Sequence, residues 1–165
     1  MKTKSKLLCA ALAALCMIFA IALMPAAAAF ADDRPAGAEY SRSAVSADER
    51  GILTIMNISF TSGNGSVTVT ATNQLTIFPA TVFVRVELYR SQEYCPDYRD
   101  MRCVSTRNIG DLDMGNSVSA SYSTSGEQMY WMGRAMYTVD GGAAQELFTP
   151  VYILDGDGNV LGQVA

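Results

Sequence analysis

Ala80–Arg90, with the sequence ATVFVRVELYR, carries the clearest β-strand pattern in the chain. Its aliphatic side chains, Val82, Val84, Val86 and Leu88, alternate with Phe83, Arg85, Glu87 and Tyr89. Alternation with a period of two, rich in β-branched residues, is typical of a strand that buries one face. Neighbouring segments show the same pattern, so we expect a second sheet to cover the aliphatic face.

Turn signals divide the chain on both sides of this stretch into further strands. The predicted strands are Ile52–Phe60, Ser66–Asn73, Ser117–Ser123, Met129–Asp140 and Gln145–Leu154, with a short strand hidden near Arg102–Asn108 and a tail or short strand at Val160–Ala165. The turns Ser62–Gly65 (SGNG) and Asp140–Gly142 (DGG) have the glycines that hairpins need. Six or seven antiparallel strands predict an all-β antiparallel sandwich of immunoglobulin or fibronectin-III type, with a small β-barrel as the alternative.

The N-terminal segment has the three parts of a secretory signal peptide. Lys2, Lys4 and Lys6 precede the apolar run Leu7–Met24, and Ala29-Phe30-Ala31 is a cleavage site. An uncleaved membrane anchor is the alternative, since the run is long enough to span a bilayer. We therefore predict a signal peptide over 1–31, a flexible lead-in over 32–50 and a sandwich domain over 51–165, leaving open an ordered first strand near Tyr40–Val45.

Processing near Ala31 places the protein outside the cell or in its envelope, without a stable membrane anchor, and it changes the charge. All three lysines lie in the signal, so the mature chain keeps nine arginines against sixteen acidic residues, a net charge of −7. Such a chain is a poor nucleic-acid binder, because that binding depends on neutralising phosphates. The chain also has no histidine, which excludes Ser-His-Asp and Cys-His nucleophiles. We predict neither an enzyme nor a cofactor.

Two cysteines, Cys95 and Cys103, remain after the signal. A pair so close in sequence, in an oxidising compartment, favours a disulfide that pins a local loop. Free thiols are the alternative. The long segment around them, Ser91–Asn116, interrupts the strand pattern, and a connection of this length in a compact domain is often functional.

Candidate binding residues lie in this segment and in one later strand. They are Tyr94, Tyr98, Arg99, Arg102 and Arg107 in the loop, and Tyr130 and Arg134 on the face of Met129–Asp140 that points outward if Trp131 packs in the core. Aromatic rings and arginines are enriched at protein interfaces, and arginine bonds carboxylate or phosphate groups with two hydrogen bonds. The partner would be a cell-envelope polymer or an extracellular protein. A purely structural role for the loop is equally open.

Two other functions have candidate residues. A glycan or peptide hydrolase that uses carboxylates alone would draw on Asp97, Asp100, Asp111 and Asp113. Solvated ion pairs with nearby arginines also explain these residues. A calcium-dependent adhesion module would use Asp155, Asp157 and Asn159, whose alternate spacing is that of a calcium loop. Val160 stands where that loop needs glycine, and glycine with aspartate is also what a tight turn requires.

The signal peptide, the single set of strands and the final strand–DGG–strand hairpin resemble small secreted bacterial proteins with one immunoglobulin-like sandwich. The cysteine–tryptophan–cysteine order of immunoglobulin domains is absent, because Trp131 follows both cysteines. The resemblance implies a fold, and one fold serves many functions. The leading hypothesis is a secreted, non-enzymatic binding or structural module.

Overall fold

A computed structural model describes residues 37–47, 52–77, 79–124 and 126–164 of the chain. In these ranges it has ten strands and a short 3-10 helix, Tyr98–Asp100. The strands are β1 (Glu39–Ala47), β2 (Leu53–Gly63), β3 (Ser66–Thr76), β4 (Val82–Ser91), β5 (Arg102–Ile109), β6 (Ser117–Ser123), β7 (Met129–Val139), β8 (Gln145–Phe148), β9 (Val151–Leu154) and β10 (Val160–Val164). The predicted signal peptide, 1–31, lies outside the described residues.

The strands form two antiparallel sheets that pack face to face. One sheet has the order β1-β2-β3-β6, and the other has the order β10-β9-β7-β4-β5, with β8 also pairing with β7. The sheets are not closed into a barrel, so the predicted β-sandwich is confirmed and the barrel alternative is wrong. The described strands number ten, more than the six or seven that were predicted.

The core between the sheets is built by the alternation seen in the sequence. Val82, Val84, Val86 and Leu88 of β4 are all buried there. Trp131 is also buried, as expected, and its ring contacts that of Tyr122 with centroids 6.0 Å apart. Side chains that alternate along a central strand therefore separate the core from the outer face of the six-stranded sheet.

The two sheets approach each other closely at Gly133. A Cβ atom built on it would lie 2.5 Å from Cγ2 of Val69 on the opposite sheet. Opposite Gly133, Thr149 accepts a hydrogen bond from the Gly133 amide through its Oγ1, at 2.9 Å. The strand predicted over Gln145–Leu154 is divided into β8 and β9 at this point, because Pro150 has no amide hydrogen to donate.

Strand β1 corrects the prediction of a flexible lead-in over 32–50 for the part that the structure describes; 32–36 and 48–50 lie outside the described residues. Glu39–Ala47 pairs with β2 along its whole length, so the ordered first strand that the sequence left open is the one observed. Its sequence, EYSRSAVSA, hides the strand because only Tyr40 and Ala44 pack against the core. The strand hidden near Arg102–Asn108 is confirmed as β5. Of the two alternatives for Val160–Ala165, a tail or a short strand, the strand is observed, as β10.

Among the described residues, no helix is long and apolar enough to cross a membrane.

Candidate functional site

The loop between β4 and β5 folds back over the outer face of the six-stranded sheet. Its residues Cys95, Tyr98 and Met101 pack against Tyr89 of β4 and Met132 of β7. Because Met132 and Tyr89 point away from the core, the loop creates a second, smaller apolar cluster on this face. We call the segment Tyr94–Met101 the capping loop.

A charged network lies beneath the capping loop. Glu87 is only 3% exposed, and its carboxylate has three partners. Oε2 accepts hydrogen bonds from the Tyr89 hydroxyl and from Nη1 of Arg134, both at 2.6 Å, while Oε1 lies 2.6 Å from Nη2 of Arg85. Arg134 also contacts Glu146 of β8 through its other terminal nitrogen. Two carboxylates and two guanidinium groups thus pair with one another; Glu87 is buried, Arg134 is largely buried, and Arg85 and Glu146 are partly exposed.

The environment shifts the pKa values of these groups in consistent directions. Burial alone would raise the pKa of Glu87, but the hydrogen bonds from Tyr89 and Arg134 and the charges of Arg85 and Arg134 outweigh it, so the pKa is lowered. Burial and the neighbouring Glu87 carboxylate raise the pKa of the Tyr89 hydroxyl. Glu87 therefore stays ionised and Tyr89 stays a donor at neutral pH.

Tyr98 joins the capping loop to the network. Its ring lies over the Arg134 guanidinium, 4.6 Å from its central carbon, and contacts the rings of Tyr89 and Phe148 at 5.4 Å each. The short helix that carries Tyr98 is capped at its N-terminus by Asp97, whose Oδ1 accepts a hydrogen bond from the Arg99 amide at 2.9 Å. Residues 97–101 are therefore held by a local cap and by a cation–π contact together.

Four aromatic rings and one arginine remain at the surface of this assembly. Tyr94 is exposed and contacts half-buried Tyr130, with ring centroids 6.0 Å apart. Tyr98 and Phe148 are half-buried and contact each other, and Arg99, whose side chain is 74% exposed, lies over the Tyr98 ring. We call Tyr94, Tyr98, Arg99, Tyr130 and Phe148 the aromatic surface.

The predicted Cys95–Cys103 disulfide is not formed in the structure, where both residues are free cysteines. Cys95 contacts Ser91 and the backbone oxygens of Glu93 and Asp100, whereas Cys103 lies on β5 and contacts the backbone oxygen of Ser105. In this structure the packing of Tyr98 on Arg134, and not a disulfide, holds the loop against the sheet.

The structure separates residues that the sequence grouped together. Arg107 pairs with the core residue Val86, and Arg102 pairs with Arg90, whose guanidinium lies over the Tyr122 ring on the core side of the sheet. The side chains of both exposed arginines therefore point from the edge strand β5 to the face of the sheet opposite to Arg99. The five loop candidates do not form one surface.

Arg134 corrects a second expectation. It points outward from the core with Tyr130, as predicted, but only 12% of its side chain is exposed. The capping loop and Glu146 cover it. Its role in the structure is to hold the capping loop, and it is not a surface contact residue.

The calcium candidates form a turn between β9 and β10. Oδ1 of Asp155 accepts hydrogen bonds from the amides of Asp157 and Asn159, at 2.9 and 2.8 Å, and Oδ2 accepts one from the Asn159 side chain. These bonds lower the pKa of Asp155. Among the described residues, no group of three or more His, Cys, Asp or Glu side chains is placed to hold a metal ion.

The carboxylates considered for hydrolysis are also engaged locally. Asp97 caps the short helix, Oδ1 of Asp111 accepts a hydrogen bond from the Val82 amide at 3.1 Å, and Oδ2 of Asp113 contacts the Asn116 side chain. Asp111 and Asp113 follow β5 at one end of the sheet, and Asp97 and Asp100 precede it at the other.

Sequence reasoning missed the outer face of the four-stranded sheet. Three hydroxyl pairs bridge β3 and β6 there: Thr68 with Ser121, Thr70 with Ser119 and Thr72 with Ser117, with oxygen–oxygen distances of 2.8–2.9 Å. Asn57 adds hydrogen bonds to Ser41 and Ser43 of β1. We call this surface the hydroxyl face. The signal was visible as T-x-T-x-T and S-x-S-x-S, but only the strand pairing shows that the two runs meet.

Comparison with known proteins adds no functional assignment: no protein-family model matches the chain, and no curated protein is found as a relative.

Proposed function

We propose that the protein is a secreted, non-enzymatic binding module that contacts its partner through the aromatic surface. The observation that carries this proposal is the burial of Glu87 and Arg134 beneath Tyr98. Arg134 holds Tyr98, and with it the capping loop, against the sheet, while Tyr94 and Arg99 remain at the surface. A loop ordered before binding loses less conformational entropy when a partner arrives.

The composition of the aromatic surface supports a binding role. Tyrosine and arginine are the residue types that contribute most often to binding hot spots. Arg99 can bond a carboxylate or phosphate group with two hydrogen bonds, and the exposed edges of Tyr94 and Tyr130 can pack against a sugar ring or an apolar side chain. The expected partner is an envelope polymer that bears acidic groups, or an extracellular protein with an acidic patch.

Co-sedimentation of the processed protein, residues 32–165, with the envelope fraction of the producing cell tests the proposal. Arg99→Glu and Tyr94→Ala should each lower the bound fraction at least several-fold. Arg107→Glu is the matched control, because it makes the same charge change at an exposed site on the opposite side of β5 and should bind like the unmodified protein.

Equal loss of binding for Arg99→Glu and Arg107→Glu would show that net charge, and not the aromatic surface, controls the interaction. If the unmodified protein does not sediment with the envelope, the same three variants should be compared in a pull-down from culture medium. Capture that is insensitive to Arg99→Glu and Tyr94→Ala in both assays contradicts the proposal.

A further inference from the structure

The hydroxyl face is nearly free of charge although the mature chain is acidic. Side chains alternate along the four strands, so a single set of positions points away from the core. The outward residues are Glu39, Ser41, Ser43, Val45 and Ala47 of β1, Leu53, Ile55, Asn57, Ser59 and Thr61 of β2, Ser66, Thr68, Thr70, Thr72 and Leu75 of β3, and Ser117, Ser119, Ser121 and Ser123 of β6. Gln74 lies at the register shift of β3 and is exposed on the same side, next to Ser43. Glu39, at the end of β1, is the single charged residue among these described positions.

Most polar groups of this face already pair with one another or with the backbone. The three Thr–Ser pairs bridge β3 and β6, Asn57 donates to Ser41 and Ser43, and Ser43 donates to Gln74 at 3.1 Å. A buried polar group is costly mainly when it lacks a partner. A second surface could therefore cover this face at a lower desolvation cost than the number of hydroxyl groups indicates.

One end of the same face is aliphatic. Val45 pairs with Ile55, and Ile55 pairs with Leu75, so three aliphatic side chains lie side by side across β1, β2 and β3. Val45 is 55% exposed, and Ile77, which follows β3, is 41% exposed. Large aliphatic side chains left in water next to one another favour an interface, because covering them is favourable by about 25 cal/mol per Å².

We propose that a second copy of this chain covers the hydroxyl face and forms a two-fold symmetric, back-to-back dimer. Two acidic chains repel each other unless they meet through neutral surfaces, and this face supplies one. Serine and threonine hydroxyls both donate and accept hydrogen bonds, so the face is complementary to itself, as a two-fold interface requires.

The size of the face fits this occupant. Four strands about 4.8 Å apart and about 30 Å long present on the order of 600 Å² per copy. The two copies together would then bury about 1,200 Å², the lower end of the range for specific interfaces. A two-fold axis along the strands places the aliphatic end of one copy against the aliphatic end of the other.

The dimer goes beyond the proposed function and uses a different surface. The outer faces of the two sheets of a sandwich point in opposite directions. A dimer joined through its four-stranded sheets therefore presents two aromatic surfaces on opposite sides. Two contacts raise the apparent affinity only for a partner that is long enough to reach both sides of the dimer.

Sedimentation velocity of the processed protein, from low-micromolar to near-millimolar concentration, tests the proposal. The unmodified protein should approach twice the mass of one chain as concentration rises. Thr70→Asp and Val45→Asp place like charges at the centre and at the aliphatic end of the face, and each should keep the protein monomeric. Asn108→Asp on β5 is the matched control and should leave the dimer intact.

Both interface positions are on the solvent side of the sheet, and circular dichroism with thermal melting checks that each variant is folded. A protein that stays monomeric over the whole range overturns the proposal. So does a dimer that survives both aspartate variants but is lost in Tyr94→Ala, because association would then use the aromatic surface. A monomer that still binds the envelope through Arg99 overturns the dimer alone and leaves the proposed function standing.

Discussion

Glu87→Gln tests the most unusual feature of the fold, the buried charge network under the capping loop. The substitution keeps the shape of the side chain but removes the charge that faces Arg134 and Arg85. Breaking one partner of a buried ion pair costs about 3–5 kcal/mol. Arg134 keeps its contact with the partly exposed Glu146, so we expect a loss at the lower end, about 3 kcal/mol. In a domain of this size, that loss lowers the melting temperature by about 10 °C.

The effect should also depend on pH. The folded state lowers the pKa of Glu87 below the ordinary value of 4.5. The stabilisation is therefore fully present above pH 4.5 and is lost as the pH falls through the lower, folded-state pKa. The stability difference between the unmodified protein and Glu87→Gln should be constant near neutral pH and should shrink in acid.

Chemical denaturation monitored by Trp131 fluorescence measures both effects. Glu146→Gln is the control for a partly exposed partner of the same arginine, and we expect it to cost less than about 1 kcal/mol. A loss below about 0.5 kcal/mol for Glu87→Gln would contradict a buried network, because a loss of that size is typical of an exposed ion pair. Equal losses for the two variants would contradict it as well.

Three further results are expected. Gly133→Ala should lower stability by about 1–3 kcal/mol in thermal melting, because its Cβ would lie 2.5 Å from Cγ2 of Val69, and unchanged stability would mean that the sheets are not so close. Tyr98→Ala should cost about 2 kcal/mol and raise hydrogen exchange in the capping loop, since the ring contacts Arg134, Tyr89 and Phe148; unchanged exchange contradicts this. EDTA should leave the melting temperature unchanged, because both carboxylate oxygens of Asp155 accept hydrogen bonds within the turn between β9 and β10. A rise in melting temperature on adding calcium would contradict that interpretation.

The parts of the fold that depend on local alternation were predictable. Alternating aliphatic residues alone indicate the buried strand β4, with Val82, Val84, Val86 and Leu88. Asn64 and Asp140 adopt the positive φ angles of the turns that their glycine neighbours indicated. β1 was harder to recognise, because an edge strand with two core-facing side chains shows little apolar pattern. Its pairing with β2 is a tertiary effect.

The site depended on contacts between distant residues. Glu87 and Arg134 are 47 positions apart, and neither position looks buried in the sequence, because alternation along a strand does not show that the loop after β4 folds back over its outer face. The same limit applies to the hydroxyl face, where Thr68 meets Ser121 across 53 positions. Residue types pointed to a binding loop. The pairing of β5 with β4 shows that Arg102 and Arg107 lie on the face of the sheet opposite to Tyr94.

Oxidative footprinting of the processed protein, with and without the envelope fraction, tests the central claim most directly, because it maps the contact surface without any substitution. Binding should lower the oxidation rates of Tyr94, Tyr130 and Phe148. The oxidation rate of Tyr122, which lies between the two sheets beside Arg90, should not change. Protection of Tyr122, with Tyr94 and Tyr130 still oxidised at the rate seen in the free protein, would contradict the central claim.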